Sequence, residues 1–280
     1  MNRKCIVFAL LLSVVLIGTG CNKDDEEKGI IPVEQVSKAF AEKYPDAQDV
    51  TFEIEGNYYE AEFQNDGRPT TAWFTDQGQW MMEKIKYPFN QLPGAVMNAF
   101  QQGSYGSWVP DDCYLIRRLD MGPVYKIEVE NGNTETDLYY SALGNLIKAI
   151  TGGNDDRPLV IPEKITAFIQ LTFAGAELLD MQTGAGGITL ALMDGSTYKV
   201  AKLNNQYTWQ STTWALTEQE VPEMVRNGFA ASAYGSDTVL SIHILLNADG
   251  SFYLYEVENG GKRTIATFDV FGQLVKAEPA

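Results

Sequence analysis

Few residues in this chain could do bond chemistry. The only histidine, His243, lies in Ser241-Ile242-His243-Ile244-Leu245, an alternating run that reads as a strand. One imidazole cannot assemble the multi-ligand site that zinc chemistry wants, so His243 reads as a packing or surface residue. A nucleophile and base pair would have to join it to Cys113, and the spacing promises no such geometry. There is no glycine-rich phosphate loop, no Gly-x-Ser-x-Gly elbow and no Cys-x-x-Cys pair. Carboxylates are plentiful, so a glycosidase-like pair is open on residue type alone. Their placement argues against it, because Asp24 to Glu27, Asp111-Asp112 and Asp155-Asp156 read as a tether, a turn and a linker where charge is solvated. Neither Asp111 with Asp112 nor Asp66 beside Asn65 offers the ligand alternation of a calcium loop. The expectation is therefore no catalytic residue, no metal ligand and no cofactor.

The three cysteines divide by position. Arg3 and Lys4 precede an unbroken apolar run, Ile6 to Ile17, which is the pattern of a signal peptide and short of the ~20 residues of a membrane-spanning helix. Gly18-Thr19-Gly20-Cys21 follows and resembles a bacterial lipobox, with Gly18 where such boxes usually carry leucine. That resemblance implies export, removal of residues 1–20 and lipidation of Cys21. A plain secretory signal and a membrane helix are the alternatives. Cys5 leaves with the signal and Cys21 is acylated, so Cys113 stands alone and reads as buried. Residues 21–30, with Lys23-Asp24-Asp25-Glu26-Glu27, form a charged tether. They resemble the lysine-plus-acidic signal of some Bacteroidetes lipoproteins, which implies an outer-membrane lipoprotein at the cell surface in preference to the periplasmic face.

Charge limits the partners. The residues after position 20 hold 19 basic and 37 acidic side chains, a formal charge of −18. Such a field repels nucleic acid and bare anionic membrane. Membrane contact is expected only through the N-terminal lipid.

The elements that would position any site come as a four-fold repeat. A helical segment opens near Pro32, Pro93, Pro162 and Pro222, where proline is tolerated in a first helical turn. Apolar positions follow on one face: Val36, Phe40 and Tyr44; Val96 and Phe100; Ile165, Ile169 and Phe173; Val225 and Phe229. After each helix come four alternating runs broken by turn residues, which read as antiparallel strands. Tyr58 to Asn65 aligns with Phe252 to Asn259 and with Val124 to Asn131, while unit three diverges most. Tyr59, Ala61 and Phe63 share one strand face and Glu60 and Glu62 the other. Residues 152–158, rich in glycine, asparagine and aspartate, read as a linker with almost nothing to bury. The expected organisation is α+β, with units 31–88 and 92–151 in a first domain (31–151) and units 159–214 and 220–280 in a second (159–280).

The stretches Ala39-Phe40 with Tyr44, Glu53 to Phe63, and Gly78-Gln79-Trp80, in this tandem pattern, resemble the PepSY-like, beta-lactamase-inhibitor-protein-like family of exported Bacteroidetes proteins. The resemblance covers nearly all of the chain after the signal. It implies two inhibitor-like halves and a noncatalytic protein that presents a sheet face to a partner. Tyr58, Trp73, Trp80, Tyr139 and Phe252 fall opposite to, or at the edge of, the inferred core side and are the candidate binding face, with burial against an adjacent module as the competing account. Tyr207, Trp209 and Trp214 form a second aromatic group. The expected partner is an envelope or extracellular protein or peptide, such as an exported hydrolase. A glycan is the alternative, since aromatic rings also stack on sugars.

Overall fold

The computed structural model describes residues 29–153 and 156–280. The expected signal peptide, Cys21 and nearly all of the tether lie outside the described residues, as do linker residues 154 and 155. Four short helices recur: α1 (Glu34–Lys43), α2 (Gly94–Gln102), α3 (Glu163–Thr172) and α4 (Glu223–Ala231). Each buries an i, i+4 pair, namely Val36 with Phe40, Val96 with Phe100, Ile165 with Ile169 and Val225 with Phe229. Pro93, Pro162 and Pro222 stand at the N-cap with extended backbone, one step before the first turn in which they were expected. The fixed φ of proline suits this entry and its missing N–H forfeits no helical bond. Among the described residues no helix is long and apolar enough to cross a membrane.

Each helix is followed by four strands. The first unit has β1 (Gln48–Glu55), β2 (Tyr58–Asn65), β3 (Arg68–Phe74) and β4 (Trp80–Tyr87); the second has β5 (Val109–Arg118), β6 (Val124–Asn131), β7 (Thr134–Ser141) and β8 (Leu146–Thr151). The third has β9 (Glu177–Gly184), β10 (Gly187–Asp194), β11 (Thr197–Leu203) and β12 (Trp209–Ala215); the fourth has β13 (Thr238–Asn247), β14 (Gly250–Asn259), β15 (Lys262–Phe268) and β16 (Leu274–Pro279). Pairing runs in sequence order from β1 to β8 and again from β9 to β16, giving two eight-stranded antiparallel sheets. The α+β class, with four units of one helix followed by four antiparallel strands, is the one expected from the repeat. Asp111 and Asp112, expected in a turn, lie within β5 instead.

The repeat is visible in backbone irregularities as well as in side chains. In every unit the register shifts between the last two paired residues of the third strand: Trp73/Phe74, Tyr139/Tyr140, Lys202/Leu203 and Thr267/Phe268. The turn that follows packs on the helix of its unit. Gly78, Gly144 and Gly272 have φ of 79°, 84° and 75° there, and a Cβ on Gly144 would lie 2.5 Å from the Ala95 carbonyl oxygen. Glycine is needed both for the left-handed backbone and for the close approach. Unit three has Tyr207 in this place, at φ 64°, with its ring packed against the local core. That substitution is one reason why unit three is the hardest to recognise.

Helix and sheet enclose a separate core in each unit. Phe40, Tyr44, Phe63 and Phe74 pack in the first, Phe100, Ile127 and Tyr140 in the second, Ile169, Leu190 and Leu203 in the third, and Phe229, Tyr255 and Phe268 in the fourth. A fifth cluster lies on the opposite side of the first sheet, the back face. It combines Trp73, Met82, Ile116, Val124 and Tyr139 of the first sheet with Leu179 and Ala191 of the second. The two halves therefore pack through apolar contact, and the backbone bond from the Gly122 N–H to the Leu178 carbonyl, 2.9 Å, joins them at one edge.

Candidate functional site

Strand alternation sends Tyr58, Trp73 and Tyr139 to the back face of the first sheet, as their positions in the repeat imply. That face is not open. Trp73 is 3% and Tyr139 1% exposed, and Tyr58 is half-buried beside them. Leu179, Ala191, Met193 and Tyr198 of unit three lie against them. The expectation of an accessible aromatic face is corrected for these residues, because the second half of the chain already occupies it. Trp80 lies on the helix face instead, where its indole donates to the Tyr44 hydroxyl at 3.0 Å and Lys43 Nζ sits 4.2 Å from its ring centre. Phe252 is on the back face of the second sheet and keeps partial exposure.

The polar part of the covered face is as closely arranged as the apolar part. Lys126, almost fully buried, meets Asp137 Oδ2 at 2.8 Å, Glu128 Oε1 at 2.9 Å and Asp156 Oδ2 at 3.1 Å. Burial alone would lower its affinity for a proton, but Asp156, Asp137 and Glu128 outweigh this and hold the ammonium above its usual range. Tyr139 donates to Asp156 Oδ1 at 2.8 Å, and Arg118 lies 3.8 Å from the same oxygen. Asp156 was expected to be solvated linker charge, yet it is buried at the centre of this cluster. A buried carboxylate persists there because the Lys126 ammonium, the Arg118 guanidinium and the Tyr139 hydroxyl offset its loss of water. Lys148 adds a pair to Asp180 of β9 at 3.0 Å.

At the rim, Trp73 donates to Glu55 Oε2 at 2.8 Å and Arg157 pairs with Glu55 Oε1 at 3.3 Å. Glu60 is buried next to them. Loss of water, then its hydrogen bond with Glu55 and the charges of Glu55, Glu53 and Glu62, push its carboxyl up to about 8. The Glu60 proton holds Glu55 below the usual carboxylate range. The pair lies beside the Trp73 indole and the Arg157 guanidinium, both of which bind Glu55.

The other candidates fall apart in space. Cys113 faces the core of unit two, 1% exposed, and burial pushes its thiol up to about 12. His243 lies in the other sheet, so the pair considered from sequence does not form. Asp112 is bound by Lys86 at 2.6 Å and by the Tyr114 hydroxyl at 2.9 Å. Among the described residues no group of three or more metal-ligating side chains could hold an ion. Tyr207 and Trp214 are half-buried under Lys164 and Lys199, and Trp209 donates to Thr212 at 2.9 Å.

On the second sheet the corresponding back face has a different character. Leu245, Phe252, Leu254 and Ile265 are partly exposed and belong to none of the five clusters of the described residues. Register pairs Leu245 with Phe252, and Glu256 with Ile265. Thr267, paired with Leu254, is 3% exposed and its hydroxyl has no partner. Charges surround this apolar centre: Glu256, Glu258 and Arg263 on one flank, Lys276 and Glu278 on β16. Leu245, Leu254 and Ile265 were missed as face residues. A signal for the difference was present in sequence. Trp73-Phe74 and Tyr139-Tyr140 are consecutive large apolar residues, which demand cover on both sides of a sheet, whereas the repeat-equivalent Thr267-Phe268 demands it on one.

A BLIP-like protein of known structure from Bacteroides fragilis is 32% identical, over 49% of this chain and 100% of its own, with a TM-score of 0.45. A DUF2874 family protein from Bacteroides ovatus is 29% identical over 44% of this chain and 89% of its own, with a TM-score of 0.43. One from Bacteroides uniformis is 26% identical over 43% and 90%, with a TM-score of 0.42. A search of curated proteins gives no match. The model of one family, described as beta-lactamase-inhibitor-like and PepSY-like, matches residues 21–67, 57–148 and 189–276. Those segments take in most of the chain and three of its four units, and on that ground the protein belongs to the PepSY-like, beta-lactamase-inhibitor-like family.

Proposed function

We propose that this is a noncatalytic lipoprotein of the cell envelope, anchored through Cys21, that binds a protein or peptide across the back face of its second sheet. The observation that carries the reading is the asymmetry between two related faces. In the first half the face is filled by protein from the same chain, so this surface type is suited to a protein ligand. In the second half the apolar centre of Leu245, Phe252, Leu254 and Ile265 is uncovered and ringed by charge, the anatomy of an interface core with a polar rim. An exported hydrolase is one partner that the family name brings into view.

The test is capture from detergent-solubilised envelope and spent medium with the chain from Asn22 to Ala280, followed by mass spectrometry. One saturable protein partner is expected. Phe252→Asp together with Leu254→Asp should abolish its capture, because a charge buried at an interface centre costs several kcal/mol, while Ile54→Asp at the far edge of the first sheet should leave it. A partner retained by the double variant would refute this placement of the face.

A further inference from the structure

Within one chain, a back face is covered by another back face. Ile116 and Val124 of unit two are register partners, 1% and 2% exposed, and pack in one cluster with Leu179 and Ala191 of unit three. Every member of that cluster belongs to a strand, so sheet meets sheet directly. Leu245 and Phe252 are register partners in the same places of unit four, since Phe252 aligns with Val124, yet both keep partial exposure. Leu254 and Ile265 stand where unit two has Lys126 and Asp137. Unit four has thus exchanged buried charges for apolar side chains on a face that its own chain leaves open.

The open face is continuous with the covered one. Register joins Ala191, buried between the halves, to Val200, Thr213, Leu245 and Phe252 in a single row across β10 to β14. The row leaves the cover of the first half without changing side and ends in the apolar centre. Four strands about 4.8 Å apart, each about seven residues long, give this face a footprint of roughly 450 Å2. Two such faces together come to about the 1,000 Å2 at which specific interfaces begin, the range of a reversible dimer. Its rim carries both signs, Arg263 and Lys276 with Glu256, Glu258 and Glu278, in pairs that water still reaches. Such a rim can be turned upon its own copy so that opposite charges meet.

We propose, resting on the reading of this face as a protein-binding surface, that its occupant is the same face of a second copy of this chain, in a two-fold dimer of back-to-back sheets. A two-fold axis through the open face sets unit four on unit four and leaves each unit three under its own first half, so the assembly closes at two copies. Leu245, Phe252, Leu254 and Ile265 of the two copies then interdigitate as the inner faces of a sheet sandwich do. The formal charge of −18 after position 20 makes two copies repel, and salt screens that repulsion. Added salt therefore tightens the dimer, the reverse of its effect on a basic partner held by charge.

Sedimentation equilibrium of the full chain in a detergent of matched density, at about 50 and 500 mM salt, tests it. A monomer to dimer equilibrium with a midpoint below about 100 µM is expected, tighter at the higher salt. Phe252→Asp together with Leu254→Asp should weaken it by about a hundredfold or more, the effect of charges placed at an interface centre, with an unchanged circular dichroism spectrum. The same variant reports any association through the lipid alone. Phe271→Asp, at a 68% exposed apolar site in the turn before β16, should leave the equilibrium as it is. A parent chain that stays monomeric up to about 500 µM at both salt concentrations overturns the proposal, and so does a dimer that salt dissociates or that the double variant retains. A monomer that still captures another protein through Phe252 and Leu254 removes the dimer and keeps the protein-binding reading, whereas a monomer that captures nothing removes both.

Discussion

Asp156→Ala probes the joint between the halves most directly. Its side chain is fully buried and serves Lys126 at 3.1 Å, the Tyr139 hydroxyl at 2.8 Å and Arg118 at 3.8 Å. Breaking one buried ion pair typically costs about 3–5 kcal/mol, because a charge is left without compensation. Asp137 and Glu128 remain beside Lys126, which places its share near the low end. Loss of the Tyr139 acceptor adds about 1 kcal/mol, so the expected destabilisation is roughly 3–4 kcal/mol. Urea unfolding monitored by circular dichroism measures it, with Lys126→Met and the double variant completing a cycle. Lys126→Met alone leaves Asp137 and Asp156 buried without their cation and should also be severe. The double variant should be less destabilised than the sum by about 2 kcal/mol or more, as for groups in one network. An Asp156→Ala protein within about 0.5 kcal/mol of the parent would refute the reasoning and return Asp156 to the solvated linker that its sequence neighbourhood suggests.

Two further outcomes follow from the same physics. Glu60 binds its proton in the folded state up to about pH 8 but releases it near 4.5 when unfolded, so the folded form holds more protons across that window. Stability should therefore fall as pH rises from about 4.5 to 8, by on the order of 3 kcal/mol; Glu55, held low, acts in a window below this one. Glu60→Gln keeps a neutral hydrogen-bonding side chain and should flatten the decline in chemical denaturation at pH 5, 6.5 and 8, whereas an unchanged slope would place the titration elsewhere. Gly144→Ala puts a methyl 2.5 Å from the Ala95 oxygen at φ 84° and should destabilise by about 2–4 kcal/mol. Gly132→Ala, at φ 63° but with open space, should lose only about 1 kcal/mol; equal losses in a denaturation series would mean that close approach to the helix is irrelevant.

Much of the fold was legible because its determinants are local. Residue alternation separates Tyr59, Ala61 and Phe63 from Glu60 and Glu62 whatever the sheet later meets. The i, i+4 apolar pairs define the helix face, and a glycine in the turn marks where each fourth strand begins. Tyr207 obscured that mark in unit three. The candidate face was less legible, since Trp73 and Tyr139 have the same aromatic character whether they await a partner or already have one. Asp156 was misread for a related reason. Its neighbours are glycine, asparagine and aspartate, and the lysine that pairs with it lies thirty residues earlier, in β6.

By itself, then, the sequence determined the repeated unit and the direction of each strand side chain, both of which depend on spacing along the chain. Tertiary structure alone decided which of two similar sheet faces is covered, because burial is a property of what lies opposite a residue and not of the residue. It also decided that Lys126 and Asp156 are partners and that Glu60 is buried. These depend on distances between segments far apart in the chain, where Coulomb and desolvation energies are set by a few ångströms.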